Sequence, residues 1–369
     1  MSKLSRRSFQ MAMMGSLGMK PALSLGAVAP DESRYDQPAS GKITDVAGIR
    51  VGHFTDARRP TGCTALLFDS EASAGVDYDG SAPGDQLGVM LQPASPVETI
   101  HGLLLTGGGP FGLAAVPGAV RYLEEQKVGF DWGVPNTRVP IVVGAVIDDL
   151  ALGDAKIRPD AEAAYKACKA ASTGPVAEGN VGAGAGATVG KMLRRQGLPG
   201  MKSGLGTASL RVEDVTIGAL AVVNAAGDIV DWRRGKIVAG ARSADGKGFA
   251  NIVETLKKTG GLSPHAAIYD PALHSTTLVV IATNVEFNKT QLTKIAMMAS
   301  TGAARVINPY HTTGDGDSTF AVSTNRMKSE IGITAVGAIA AEVVSQAVLR
   351  AVGEARSVEG WIAMRDLPG

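Results

Sequence analysis

Hydrophobic and polar positions along the chain predict short buried strands interleaved with amphipathic helices. The segments "ITDVAGIRVGHF", "TGCTALLF" and "HGLLLTG" read as strands, the last running into a glycine loop. "VPIVVGAVIDDL" reads as a fully apolar strand ending in two carboxylates. "VTIGALAVVNAAGDIVD" reads as a strand, a turn at Ala226-Gly227-Asp228 and a return strand. Apolar residues recur at helical spacing over 114–126, and Pro159 and Asp160 suit the first turn of a following helix. "GFANIVETLKKTGG" places Phe249, Ile252, Val253 and Leu256 on one helix face and stops at Gly260 and Gly261; a polar loop over 262–274 follows. In "LHSTTLVVIATN", residues 278–282 are apolar without a break, which predicts a buried strand. Further helices are expected over 290–306 and 333–354. The last is apolar over most of its surface, so it should be buried or pack against another subunit. Strands and helices mix without the regular alternation of a doubly wound sheet, which points to a layered α/β architecture of antiparallel type.

Composition narrows the function. With 36 Lys and Arg against 35 Asp and Glu in 369 residues, and no clustered basic stripe, nucleic acid is not an expected partner. Residues 1–30 carry Arg6 and Arg7 within Ser-Arg-Arg-x-Phe, followed by a weakly apolar stretch, the pattern of a twin-arginine export signal. Gly15, Gly18, Lys20 and Pro21 interrupt that stretch, so it is too weak to span a membrane; no other segment is expected to reach spanning length. The expectation is a periplasmic or secreted protein with no membrane contact once the signal is removed.

The two cysteines, Cys63 and Cys168, fall in a strand-like and a helix-like segment and read as packing residues, with a disulfide as the alternative. His53, His101, His265, His274 and His311 are isolated and form no metal pattern, so no metal and no cofactor is expected. The glycine run "EGNVGAGAGATVGKM" does not fit a phosphate loop: Met192 stands where Ser or Thr is required after Gly190-Lys191. It reads better as a wall where backbone approaches substrate or another strand. "LTGGGPFGL" is a second such loop, either a tight strand-to-helix turn or part of a site. In "HTTGDGDSTF", Asp315 and Asp317 flank Gly316, with too few oxygen ligands for calcium; two acids there could orient a hydroxyl nucleophile and hold an ammonium group.

Together "TGCTALLF", "AGVDYDGSAPG", "LTGG..FGL", "EGNVGAGAGATVGK", "GTAS", "AVVNAAG", "TTLVVIATN" and "HTTGDGDSTFA" resemble, in order and spacing, the DmpA-type (P1) self-cleaving aminopeptidases. That group also takes in β-peptidyl aminopeptidases and nylon oligomer hydrolases. The resemblance runs over residues 43–352. It implies an αββα four-layer sandwich of the kind shared with ornithine acetyltransferases, whose precursor cuts itself before a Ser or Thr that becomes an N-terminal nucleophile. By position that residue is Thr276, with Ser275 on the other side of the cut, giving a large chain of residues 31–275 and a small chain of 276–369. Asp315 and Asp317 match the family's acidic pair, Asn224 its oxyanion-stabilising Asn, and Lys191 a lysine of the nylon-hydrolase branch. A free α-amine on the nucleophile can act as base, so no histidine is needed.

The chain departs from the pattern at several places. Ser275 stands where Asn or Gly is usual, the β-aminopeptidase glutamate is missing from "VVGAVIDDL", Asp148 replaces a common aromatic, and Gly109-Pro110 replaces Ser-Ala. Asp148, Gly108 and Gly109 are therefore expected at the substrate, with Asp148 holding a cationic amine. The expected activity is an aminopeptidase acting on small peptides or amides, in a homotetramer. Alternatives are an endo-hydrolase of ω-amino acid oligomers, an acyltransferase of the ornithine acetyltransferase type, and an uncut binding protein of the same fold.

Overall fold

A computed structural model describes residues 39–260 and 274–367. The export-signal region and most of the 262–274 loop lie outside the described residues. Nine strands form one sheet: β1 (Ile49–Thr55), β2 (Gly62–Tyr78), β3 (Asp85–Gln86), β4 (Thr99–Thr106), β5 (Val142–Val146), β6 (Leu205–Val212), β7 (Val215–Asn224), β8 (Thr276–Val285) and β9 (Ser318–Met327). Their order is β6-β7-β8-β9-β2-β4-β5-β3, with β1 beside the first half of β2. Strand β2 pairs with β1 through its first half and with β9 through its second, and its register with β4 shifts between Leu67 and Ala72. The sheet folds over at this bulged strand, as bulges allow.

Three apolar cores identify four layers. Side chains on alternate positions of a strand point to opposite faces. In β8, Leu278, Val280 and Ala282 enter a core between the two sheet halves, where they join Leu103, Leu105 and Val143 from β4 and β5. Val279 and Ile281 face the other way, onto α4 (Lys289–Val306) and α5 (Ile333–Gly353). On the far side, Ala65, Leu104 and Val142 pack beneath α1 (Val116–Glu125) and α2 (Ala161–Lys169). A strand covered on both faces has no solvent side to mark with polar residues, which is why 278–282 reads as an unbroken apolar run. The result is the expected αββα sandwich, with the two sheet halves joined through β2.

The sheet is mixed rather than antiparallel: β8 runs parallel to β9, and β4 to β5. Parallel neighbours need a crossover, and α4 and α1 lie in those connections. The return strand after Asn224 is Asp228–Asp231, but it does not fold back on β7. Both edges of β7 are taken by β6 and β8, so this strand pairs instead with Lys236–Ala239 and Ile307–Asn308. The helix expected at 249–259 is α3 (Ile252–Thr259), capped by the Asn251 side chain and ended at Gly260, whose φ of 71° suits glycine.

Contrary to the sequence expectation, α5 is long and apolar enough to cross a membrane by length and hydropathy. It is a core helix of this chain: Val336, Ala340, Val343, Val344, Ala347 and Val348 are buried against the sheet and α4. A Cβ on Gly302 of α4 would stand 2.0 Å from the Ala341 carbonyl oxygen, so the two helices touch backbone to backbone there. Cys63 and Cys168 are free and buried in the core beneath α1 and α2.

Candidate active site

The ends of β7, β8 and β9 bring the candidate residues together. The β7–β8 register sets Asn224 opposite Thr276. A parallel bridge pairs Ser275 with Asp315 just before β9, so the Asp315-Gly316-Asp317 loop runs alongside the mouth of β8. Lys191 opens the short 3-10 helix Lys191–Gln196, after Gly190 at φ 70°. The glycine run leading to it is a wall of close backbone contact, as expected: a Cβ on Gly184 would lie 2.3 Å from the Leu205 nitrogen.

Thr276 is 7% exposed. Its hydroxyl donates to the carbonyl oxygen of Ser275 at 2.7 Å, and the same oxygen accepts the Gly316 N–H at 2.8 Å. A Cβ on Gly316 would stand 2.8 Å from the Thr276 hydroxyl and 2.6 Å from the Ala82 carbonyl oxygen, so only glycine lets the loop come this close. Asp317 accepts the Thr277 N–H at 2.6 Å and the His311 N–H at 3.2 Å. Asp315 accepts the Thr312 N–H at 2.8 Å on one oxygen; its other oxygen is buried without a partner. Burial, reinforced by the neighbouring Asp317, pushes the Asp315 carboxyl up to about 6.

Asn224 is fully buried and held on both ends of its amide. Its oxygen accepts Lys191 Nζ at 2.9 Å and the Thr188 N–H at 3.1 Å, while its NH2 donates to the Asp148 carbonyl at 3.0 Å. The donors on the Ser275 carbonyl are thus the Thr276 hydroxyl and the Gly316 amide. Lys191 Nζ also donates to the His274 carbonyl at 3.2 Å and the Asn224 carbonyl at 3.3 Å. Burial lowers its pKa to about 8, so near neutrality the ammonium gives up a proton far more readily than an exposed lysine.

A cavity of about 170 Å³ opens at this point, with Gly109, Pro110, Asp148, His274, Ser275 and Thr276 on its wall. The Asp148 carboxylate lies 3.4 Å from His274 Nδ1 and accepts the Leu150 N–H at 3.0 Å. A larger cleft of about 610 Å³ between Lys127 and Arg138 shares no residue with it and holds none of the candidate groups. Gly108 is set back from the wall; its N–H donates to Asp149 at 2.9 Å. Asp149, adjacent in sequence to Asp148, has the opposite fate. It is buried, paired with the Arg59 guanidinium at 2.8 Å and hydrogen-bonded by Thr61 at 2.7 Å, and it anchors the turn behind the cavity.

Thr276, Ser275, Asn224, Lys191, Asp315 and Asp317 form one cluster, and Asp148 and Gly109 border the same cavity. Sequence reading passed over Gly316, His311, Thr188 and the Arg59–Asp149 pair. Gly316 stands between the two acids of "GDGD", and no local pattern marks its N–H as a donor. Arg59 and Thr188 lie far along the chain from their partners, with no local pattern to mark them.

The chain as a whole is similar to known proteins. The model of Peptidase family S58 matches residues 41–364. A Mycobacterium tuberculosis (strain H37Rv) protein named as an uncharacterized aminopeptidase is 39% identical over 357 residues, covering 89% of this chain and 98% of that one. A 6-aminohexanoate-oligomer endohydrolase of Agromyces is 30% identical over 333 residues, covering 83% and 84%. Among solved structures, the chain resembles the β-aminopeptidase of a Burkholderia species, with a TM-score of 0.61 and 24% identity over 89% of this chain and 90% of that one. It also resembles the L-aminopeptidase D-Ala-esterase/amidase of Ochrobactrum anthropi, with a TM-score of 0.61 and 23% identity over 86% and 88%, described there as a variant of the Ntn hydrolase fold.

Proposed function

The chain belongs to peptidase family S58 and is a hydrolase of peptide or amide bonds; from that premise we propose that it cuts its own backbone before Thr276 and then works as an aminopeptidase on small peptides or amides. One observation carries the reading: the Thr276 hydroxyl lies 2.7 Å from the carbonyl oxygen of the bond to be cut, and that oxygen already accepts an N–H from Gly316.

In self-cleavage the Thr276 hydroxyl adds to the Ser275 carbonyl carbon, and the Gly316 N–H donates to the oxygen as charge develops. The C–N bond breaks, the Thr276 nitrogen takes the proton, and an ester joins Ser275 to the hydroxyl oxygen. Water opens that ester, leaving a Ser275 carboxylate and a Thr276 with a free α-amine. The large chain then ends at Ser275 and the small chain starts at Thr276. An α-amine of pKa about 8 is a base suited to near-neutral pH. In turnover it takes the hydroxyl proton and passes it to the leaving amine, while Asp315 and Asp317 orient both groups. Lys191 Nζ, released from the His274 carbonyl by departure of the 274–275 segment, and Asn224, through its second amide hydrogen, serve the oxyanion.

Substrate choice follows from the cavity. Asp148 on its wall faces the imidazole of His274, the position a substrate ammonium takes once that segment leaves. A space of about 170 Å³ lies below the roughly 300–1,000 Å³ of drug-sized ligand pockets, which suits one residue on the amine side of the cut bond. The 30% identical relatives named as 6-aminohexanoate-oligomer endohydrolases favour a second reading, cleavage within ω-amino acid oligomers.

Thr276→Ala is expected to leave one uncut, inactive chain, whereas Thr277→Ala is still cut. N-terminal sequencing of the small fragment checks the position; a fragment beginning at Ser275 or Thr277, or a fully active uncut protein, rejects Thr276 as nucleophile. A hydrolysis screen across L-, D- and β-amino acid amides and aminohexanoate oligomers separates the two substrate readings.

A further inference from the structure

His311 has no part in the chemistry above, yet it stands between two carboxylates. Its backbone sits at φ 54°, a region costly for a residue with a Cβ, and its ring stacks on Tyr310 with centroids 3.8 Å apart. On one side, Nδ1 lies 3.2 Å from the Asp317 oxygen that already accepts the His311 N–H, a close polar contact outside hydrogen-bond geometry. On the other, Nε2 lies 3.1 Å from the Ser300 hydroxyl and 3.4 Å from Asp79, and Ser300 itself donates to Asp79 at 2.7 Å. Exposure grades along this line: the Asp317 side chain is 1% exposed, His311 25% and Asp79 37%.

We propose that His311 is a positioning residue for both self-cleavage and turnover, its imidazole holding the Asp317 carboxylate against the start of β8 and tying it to Ser300 and Asp79 near the surface. The proposal rests on Thr276 being the nucleophile. A carboxylate out of water costs free energy unless donors replace the solvent, and here a second buried acid, Asp315, sits two residues away. Of the three nitrogens around Asp317, one belongs to Thr277 and two to His311. Removing the ring takes away the polar group packed against that oxygen and leaves Asp317 freer to turn away from the Thr277 amide that sets the strand mouth.

The charged groups that face the ring are Asp317 from the loop before β9 and Asp77 and Asp79 from the end of β2, and Lys294 of α4 acts in turn on Asp77. Burial, helped by a hydrogen bond that the protonated Asp77 donates to its neighbour Asp79, raises the Asp77 carboxyl to about 7, so the outer end of the line is itself poised to exchange protons near neutrality.

The test uses the full chain with His311→Gly. Glycine is at ease at positive φ and keeps the main-chain N–H to Asp317, so only the ring is lost. Self-cleavage and kcat are expected to fall about tenfold or more, with KM held within about twofold, and millimolar imidazole should restore both rates through the quarter-exposed site. Asp79→Asn should then cost little further in the glycine background. If His311→Gly does not fold, His311→Asn carries the test: Asn tolerates the backbone and can donate to Asp317 but does not reach Ser300 or Asp79, so kcat should fall with KM unchanged. Wild-type rates in the variant measured, alongside an inactive Thr276→Ala, overturn the role of His311 and leave the nucleophile standing. A loss that imidazole does not repair and that tracks a fall in Tm likewise overturns it, as a structural role. Activity retained in Thr276→Ala defeats the nucleophile reading instead.

Discussion

Gly316→Ala gives the most local test of the proposed chemistry. The substitution keeps the Gly316 N–H that donates to the Ser275 carbonyl, and Gly316 is not at a positive φ, so alanine adds no backbone strain. What it adds is one methyl group, at 2.8 Å from the Thr276 hydroxyl and 2.6 Å from the Ala82 carbonyl oxygen. Both contacts must open by roughly half an ångström or more to reach ordinary separation. The Ala82 side is main chain, tied to the same loop because the Ala82 N–H donates to the Asp315 carbonyl at 2.9 Å, so the hydroxyl gives way first. Misplacement of a reacting group by 1 Å costs about a hundredfold in rate, so a shift of half that predicts self-cleavage slowed by about tenfold. Overpacking of this kind also costs about 1–3 kcal/mol of stability, a drop of a few degrees in Tm for a domain of this size. The assay follows the uncut fraction with time by denaturing gel and intact mass, starting from freshly synthesised chain, with Tm measured in parallel. Thr276→Ser in the alanine background should recover part of the rate, since the smaller side chain can turn its hydroxyl away from the methyl. Cleavage of Gly316→Ala at the wild-type rate with an unchanged Tm refutes the claim that the hydroxyl's position limits the reaction.

Asp148→Asn should raise KM for free-amine substrates far more than for N-blocked ones; equal effects would make Asp148 structural only. Asp317→Asn turns an amide NH2 or a neutral oxygen toward groups that now meet a carboxylate, so both self-cleavage and kcat should drop by roughly ten- to a hundredfold; an unchanged cutting rate counts against its orienting role. Stability should rise with pH on the alkaline side. Burial lowers Lys202 to about 7 and Lys191 to about 8, so from there up to the unfolded-state value near 10.5 the unfolded chain binds more protons than the folded one, and the penalty of burying the charged form is full below that window and relieved through it. Lys202→Met should flatten the rise in calorimetric Tm between pH 7 and 9; an equally steep rise without Lys202 removes it as the source. Replacing Arg6 and Arg7 with Lys should trap the protein in the cytoplasm, and unchanged periplasmic recovery argues against the export signal.

What the sequence determined by itself is what burial imposes on each local segment. The unbroken apolar run of β8, the helical spacing of α1 and α4, the Gly260 end of the helix between them and the glycine wall before Lys191 all follow from how a residue and its near neighbours meet solvent. The motif order added Thr276, Asn224, Lys191, Asp315 and Asp317 as one candidate set. Only the tertiary structure decided what each of these groups touches. Asp148 and Asp149 are indistinguishable as neighbours in a chain, yet Asp148 faces a cavity while Asp149 is enclosed by Arg59 and Thr61, about 90 residues earlier. Nothing local marks Gly316 as a donor; the bridge from Ser275 to Asp315 puts its N–H on the carbonyl before Thr276. The strand after Asn224 reads as a return strand, but β6 and β8 already hold both edges of β7 and send it elsewhere. Periodicity reports which face of a segment is buried. Strand pairing, donor ownership and enclosure depend on register between segments far apart in the chain, and no local pattern carries that information.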